Sequence, residues 1–254
     1  MSAPRPAARI PAAYAALCLF LIVFANAGNG GEDAPAAAAR RVYAEPEDVM
    51  AAFAGFIGEG DFGAAVELFD AREQAKRFDF SAAAKRIKAM IPTSMQPAEY
   101  PGFITLNIIR EQNKAALQIS GFVYSFLLPD EFSDYMKLRP QNLQDDLEMP
   151  DRFVEAANPA ALKGLRLVTL VYVNPEMQDS EKYRDIVRRG SAIYGYDDKR
   201  EYVAIYELNG ERYVGGASVH KYGDNWYIGT LQSPLAGTDH TGRVAKADRA
   251  FLLP

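Results

Sequence analysis

Apolar residues recur at helical spacing through Val49, Ala52, Phe53, Phe56 and Ile57, forming a single stripe that predicts an amphipathic helix. Pro46 suits its first position, and Glu47 and Asp48 suit the positive end of its dipole. Gly58-Glu59-Gly60 stops this helix. Asp61 caps a second, whose stripe is Phe62, Ala65, Val66 and Phe69, so the pair reads as a tight helix-turn-helix. Residues 81–91 predict a third helix through Ala84, Ile87 and Ile91. Pro92, Pro97 and Pro101 break regular structure after it.

Further along, the pattern changes. Residues 103–110 and 115–128 are rich in Ile, Leu, Phe, Val and Tyr and predict two strands, with Glu111-Gln112-Asn113-Lys114 as a hairpin loop. Residues 129–163 are polar, carry four prolines and predict an excursion with a short helix over 150–157. Excursions this long form lids or binding elements, or are solvated insertions. Residues 165–174 predict a strand, and 183–189 a short helix or an irregular crossover. Asn209-Gly210 between 202–208 and 211–214 is a strong hairpin signal, because both turn positions need positive φ. In that register Glu207 faces Arg212 and Tyr206 faces Tyr213, both sensible cross-strand pairs. A turn at Gly223-Asp224-Asn225 joins 217–222 to 226–231, completing a meander, and Gly215-Gly216 predicts a bulge or sharp bend. The fold class expected is α+β, with N-terminal helices packed on a curved, cone-like antiparallel sheet and a polar insertion in the middle.

The N-terminus follows a different logic. Arg5 and Arg9 precede an apolar stretch of fourteen residues, 12–25, which closes on Ala25-Asn26-Ala27 before Gly28-Asn29-Gly30-Gly31. That order is a secretory signal peptide cut after Ala27, and it is short of the roughly 20 residues that cross a bilayer as a helix. An uncleaved N-terminal membrane anchor is one alternative, and lipidation at Cys18 is another. Leu17 stands where lipoproteins carry a small residue. The expected organisation is a signal peptide over 1–27, a disordered leader over 28–44, one α+β domain over 45–235 containing the 129–163 insertion, and a C-terminal tail over 236–254. Phe251-Leu252-Leu253 can dock back from that tail. The expected location is secreted or in the cell envelope. Absence of any Asn-x-Ser/Thr acceptor fits a bacterial source.

Cleavage removes Cys18, the only cysteine, so the mature chain folds without disulfides. It also removes two arginines, taking the formal charge from -5 to -7. An acidic chain has no electrostatic reason to bind nucleic acid or anionic lipid. Lys182, Arg184, Arg188 and Arg189 cluster, but acids are interleaved with them and the run reads as a solvated face. After the signal no apolar run reaches membrane-spanning length.

Candidate chemistry is sparse. Gly58-Glu59-Gly60-Asp61-Phe62-Gly63 matches G-x-G-x-x-G, yet a helix precedes it where a dinucleotide site needs a strand, and its two carboxylates would repel a pyrophosphate. His220 and His240 are the only histidines, and neither has a partner at ligand spacing, so no metal and no cofactor is assigned. The acids around Asp145 lack the alternation and glycine of an EF-hand. Ser218 and His220 share a strand face with about 7 Å between their Cα atoms, and no nucleophile elbow surrounds the serine. Aromatics crowd the last sheet: Tyr194, Tyr196, Tyr202, Tyr206, Tyr213, Tyr222, Trp226 and Tyr227. Such rings either fill a half-buried core or line a pocket with a wet mouth. Tyr206, Tyr213, His220 and Trp226 are the candidate ligand-binding residues, and no catalytic residue is assigned.

Two short helices with a Gly-Asp-Phe turn, then an antiparallel sheet ending in Asp224-Asn225-Trp226-Tyr227-Ile228, resemble the nuclear-transport-factor-two-like, or cystatin-like, α+β cone. The resemblance covers about 45–69 and 202–231. It implies a conical cavity between helices and sheet, used by some members for catalysis and by others for binding or dimerisation. Its isomerases and dehydratases need an acid or base inside the cone, and none maps onto this sequence. Two functions are therefore expected. One is a non-catalytic exported module binding a protein or small-molecule ligand, as a monomer or homodimer. The other is a cone-type enzyme acting on a small hydrophobic molecule, with His220 or a buried carboxylate as base.

Overall fold

Asp48 reaches back to accept the Glu45 backbone N–H at 3.3 Å, and Pro46 starts helix α1 (Pro46–Glu59), which stops at Gly60 in the left-handed region, φ 76°. A side chain at Gly60 would be strained there, which accounts for the glycine. Asp61 then accepts from Ala64 N at 2.9 Å and caps α2 (Phe62–Glu67). The helix-turn-helix therefore has the expected form, and the G-x-G-x-x-G match is its cap and turn. α3 (Ala71–Arg77) and α4 (Phe80–Ile87) follow, the latter capped by Asp79 on Ala82 N. This computed structural model describes residues 41–89, 95–128, 147–238 and 242–247. The signal segment, the leader up to residue 40, residues 129–146 of the insertion with Asp145 and Asp146, His240, and Phe251-Leu252-Leu253 lie outside the described residues.

The two strands expected over 103–110 and 115–128, and the loop between them, are instead one helix, α5 (Pro101–Leu127), 27 residues long. Pro101 sits in its first turn, where a missing N–H costs nothing. Ala115, Ile119, Phe122 and Val123 are buried at three- and four-residue spacing, a stripe that a strand would split between two faces. Ile104, Thr105, Ile108 and Ile109 favour strands, but the helical penalty for such residues is about 0.7 kcal/mol each at most. Burying one large apolar side chain contributes about 1.5–3 kcal/mol. Packing wins. The polar run stays helical, with Lys114 Nζ donating to Glu111 at 2.7 Å.

α6 (Met149–Ala156) matches the short helix expected in the insertion. Then come β1 (Arg166–Tyr172), α7 (Pro175–Gln178), α8 (Glu181–Tyr194), β2 (Asp198–Leu208), β3 (Glu211–Tyr222), β4 (Asn225–Thr230) and β5 (Val244–Lys246). The sheet is antiparallel in the order β1-β2-β3-β4, and β5 shares the second edge of β3 with β4. Asn209 and Gly210 both have positive φ, and Glu207 faces Arg212 and Tyr206 faces Tyr213 as expected. The bulge expected at Gly215-Gly216 is absent, because both hold unbroken register against Ala204 and Val203. Their missing Cβ atoms admit Val244 over Gly215, and Ser233 and Thr238 over Gly216. Register shifts fall instead at Leu167/Thr169 and Ser218/Val219.

One sheet face carries Tyr202, Ala204, Tyr206, Tyr213, Ala217, Val219, Trp226 and Ile228. It packs on Val49, Phe53, Ile57, Ile119 and Phe122 of α1 and α5 to make the main core. The other face carries Glu201, Val203, Ser218 and His220. Ahead of α1, Tyr43 joins the edge of β4: its N–H donates to Asn225 Oδ1 at 2.6 Å, and its carbonyl accepts from Trp226 N.

Candidate functional site

Rings occupy the space between helices and sheet. Phe122 meets Phe53 at 5.1 Å, Tyr206 at 5.0 Å and Phe126 at 5.0 Å, all edge to face, and Phe126 meets Tyr213 at 4.5 Å. Edge-to-face pairs of this kind add about 0.5–1.5 kcal/mol each beyond burial. Tyr206, Tyr213 and Trp226 are 1%, 7% and 2% exposed, and burial pushes the Tyr206 phenol well above its usual range. They fill the interior. The faces of Trp226 meet Arg200 and Lys221 at 5.1 and 5.9 Å.

His220, the fourth sequence candidate, lies on the opposite sheet face. The α2–α3 junction docks on β4 through a bridge from Phe69 to Ile228 and a bond from Asp70 N to Ile228 O, which delivers the Asp70 carboxylate to the histidine. Asp70 Oδ2 lies 2.6 Å from His220 Nδ1 and accepts from Gln74 Nε2 at 2.7 Å and Tyr222 Oη at 3.2 Å. Tyr196 stacks on the imidazole at 4.7 Å, and Gly229 lies against it. Burial first, then the Asp70 charge, raises the Tyr222 phenol. Ser218 makes no bond to His220. Its Oγ is buried without a partner among the described residues.

Glu201 is the second buried acid, 3% exposed. Tyr183 Oη donates to it at 3.2 Å, Ser233 Oγ at 3.0 Å and Leu235 N at 3.1 Å, and Lys199 Nζ lies at 3.4 Å. Burial and then this carboxylate raise the Tyr183 phenol. Just past the end of β1, Val173 N still donates to Glu201 O at 3.4 Å, and the Gln178 amide inserts beside it to complete the pairing. Its Oε1 accepts the Glu201 N–H at 2.9 Å, while its Nε2 donates to the Glu201 carbonyl at 2.8 Å and to Val173 O at 2.6 Å. Sequence reasoning did not find Asp70, Glu201 or Gln178. The available signal was Glu201 sharing a strand face with Val203 and Ile205.

Beside this edge opens a cleft of about 710 Å³, bounded by α1, the end of β1, α7, α8 and the start of β2. Its acids are Glu47, Asp179, Asp197 and Asp198; its bases are Arg184, Arg188, Lys199 and Arg200. Tyr172, Tyr183 and Tyr202 supply aromatic wall. Arg200 pairs with Asp198 at 3.0 Å, Tyr172 Oη donates to Asp179 at 3.2 Å, and Asp197 accepts from Gly223 N at 2.6 Å. Desolvation, then the Asp179 charge, pushes the Tyr172 phenol up to about 12. None of the four sequence candidates lines it. Among the described residues no group of three or more His, Cys, Asp or Glu is placed to hold a metal ion, and no helix is long and apolar enough to cross a membrane.

No protein-family model matches the chain, and no curated protein matches it. A solved structure of a cystatin-like protein from Ruminococcus gnavus, determined at 2.10 Å, superimposes with a TM-score of 0.51 at 16% identity. The match takes in 83% of this chain and 42% of that one, so the chain spans under half the length of the protein it resembles. Identity this low bears on architecture and not on activity. Helices laid on an open antiparallel sheet give this chain a cystatin-like α+β fold.

Proposed function

We propose that the chain is an exported, non-catalytic binding module of the bacterial cell envelope or exterior, and that its contact surface is the charged cleft beside β2. The observation carrying this reading is the filled interior: Phe53, Phe122, Tyr206 and Tyr213 occupy the volume in which a cone enzyme would hold substrate. Recognition then falls to the outside. The 710 Å³ cleft offers aromatic walls and equal numbers of acidic and basic side chains, an arrangement suited to a protein segment of mixed charge rather than to a small apolar substrate.

The enzyme reading has one observation in its favour, the Asp70–His220 pair at 2.6 Å. Neither residue lines the charged cleft. Both are held by neighbouring side chains in the way buried polar groups are ordinarily satisfied.

Native mass spectrometry of residues 28–254 recovered from the exporting host reads copy number and retained ligand together. A photo-crosslinker at Val187 is expected to form a defined protein adduct, or a defined dimer, that the exposed-site variant Arg184→Glu abolishes while its melting temperature holds. Adducts indifferent to that reversal would count against the cleft. A chemical turnover lost in a folded Asp70→Asn variant would favour the enzyme.

A further inference from the structure

A second cleft, of about 470 Å³, lies between α3, α4, α5 and α8, on residues that the proposed contact surface does not use. Phe78, Met95 and Ile193 form its base as a small apolar cluster separate from the main core, with Phe80 and Tyr194 packed against it. Phe78 meets Phe80 at 6.5 Å and Tyr194 at 6.0 Å. Ile87, on its wall, is 48% exposed. The volume falls in the range of roughly 300–1,000 Å³ that holds small organic ligands.

Its charges are unbalanced. Arg86, Arg110 and Lys114 stand against one acid, Glu111. That acid is committed, with Lys114 Nζ at 2.7 Å and Arg110 Nε at 3.8 Å. Arg86 has no ion pair among the described residues, and its charge is felt at Tyr194 across the cleft. Burial raises the Tyr194 phenol, Glu111 adds to the rise, and Arg86 draws it partway back. An apolar trough with one uncommitted guanidinium at its rim matches a molecule with an apolar body and one negative head. Guanidinium suits a carboxylate because its donors match the two oxygens side by side.

We infer that this cleft binds a free single-chain amphipathic anion of the carboxylate class, its tail on Phe78, Phe80 and Met95 and its head on Arg86.

Isothermal titration of the purified full chain with decanoate, and with decanol as the uncharged counterpart, tests this. Saturable decanoate binding is expected, with decanol about two- to fivefold weaker, the scale of one exposed charge pair. Arg86→Glu should reduce decanoate to the level of decanol and leave decanol unchanged. Ala83→Trp, which fills the trough, should weaken both ligands while the melting temperature shows a folded protein. Arg184→Glu, at the other cleft, should change neither, so this result stands or falls apart from the contact-surface proposal. Equal affinity for the two ligands, absence of decanoate binding, decanoate affinity indifferent to Arg86→Glu, or capture by phosphatidylglycerol vesicles in place of free decanoate would each overturn it.

Discussion

A methyl group added at Gly229 would stand 2.6 Å from Nδ1 and 2.7 Å from Nε2 of His220. His220 Cε1 would be closer still, and comfortable heavy-atom contact begins at roughly 3.5 Å, so Gly229→Ala must drive the imidazole back by roughly 1 Å. Retreat leads into Tyr196, stacked at 4.7 Å on the ring, whose own hydroxyl end is backed by Gly190. Asp70 cannot follow freely, being tied by Gln74, by Tyr222 and by its own N–H. Overpacking costs about 1–3 kcal/mol, and weakening the 2.6 Å charge-assisted bond adds about 1.5–3 kcal/mol. A net loss of about 3 kcal/mol corresponds to a melting temperature lower by about 6–12 °C for a domain of this size. An ordinary strand Gly→Ala change instead gains about 0.5–1 kcal/mol. The assay is a double-mutant cycle by urea denaturation. In a His220→Ala background, where the ring is gone, Gly229→Ala should cost nothing or stabilise slightly. An equal loss in both backgrounds, or none in either, would refute the argument.

Truncating the central ring by Phe122→Ala should cost about 3–5 kcal/mol in the same measurement. Leu117→Ala on the same helix, at a residue 74% exposed, should stay within about 0.5 kcal/mol. Burial holds the phenols of Tyr172 and Tyr196 up to about 12, against about 10 in the unfolded chain. Their contribution to stability is therefore complete below pH 10 and is lost as pH rises from 10 towards 12, because the unfolded state gives up these protons first. Absorbance titration at 295 nm should show late-ionising tyrosines. Urea midpoints should fall from pH 10 to 11, and a flat profile across that interval would contradict the assignment.

Local chemistry made the ends of the chain's elements readable. Asp61, Gly60 and Asn209-Gly210 act through their own backbone angles and near neighbours, so their turns and caps lie where the sequence puts them. α5 was misread because Ile104, Thr105, Ile108 and Ile109 carry a strand preference of their own, while the helical stripe through Ala115, Ile119 and Phe122 has meaning only once a sheet is there to receive it. Gly215-Gly216 misled for a related reason. Its cause is the approach of Ser233, Thr238 and Val244, remote in the chain from the turn chemistry that glycine usually signals. The aromatic cluster reads first as core, with a pocket as the alternative, and packing against Phe53 and Phe122 decides for core. Both clefts escaped notice because each joins segments far apart: Glu47 with Asp198 in one, Phe78 with Ile193 in the other.

The Gln178 amide, set against the backbone of Glu201, bears on how this molecule tolerates crowding. A bare ladder end invites an identical neighbour to add on and start a fibre. Here a side chain from the same polypeptide has already taken those bonds, so a passing copy finds the position filled. The stretch of β2 that outruns β1 is thus closed by a carboxamide six residues past the end of β1, leaving β1 itself as the sheet's outer strand.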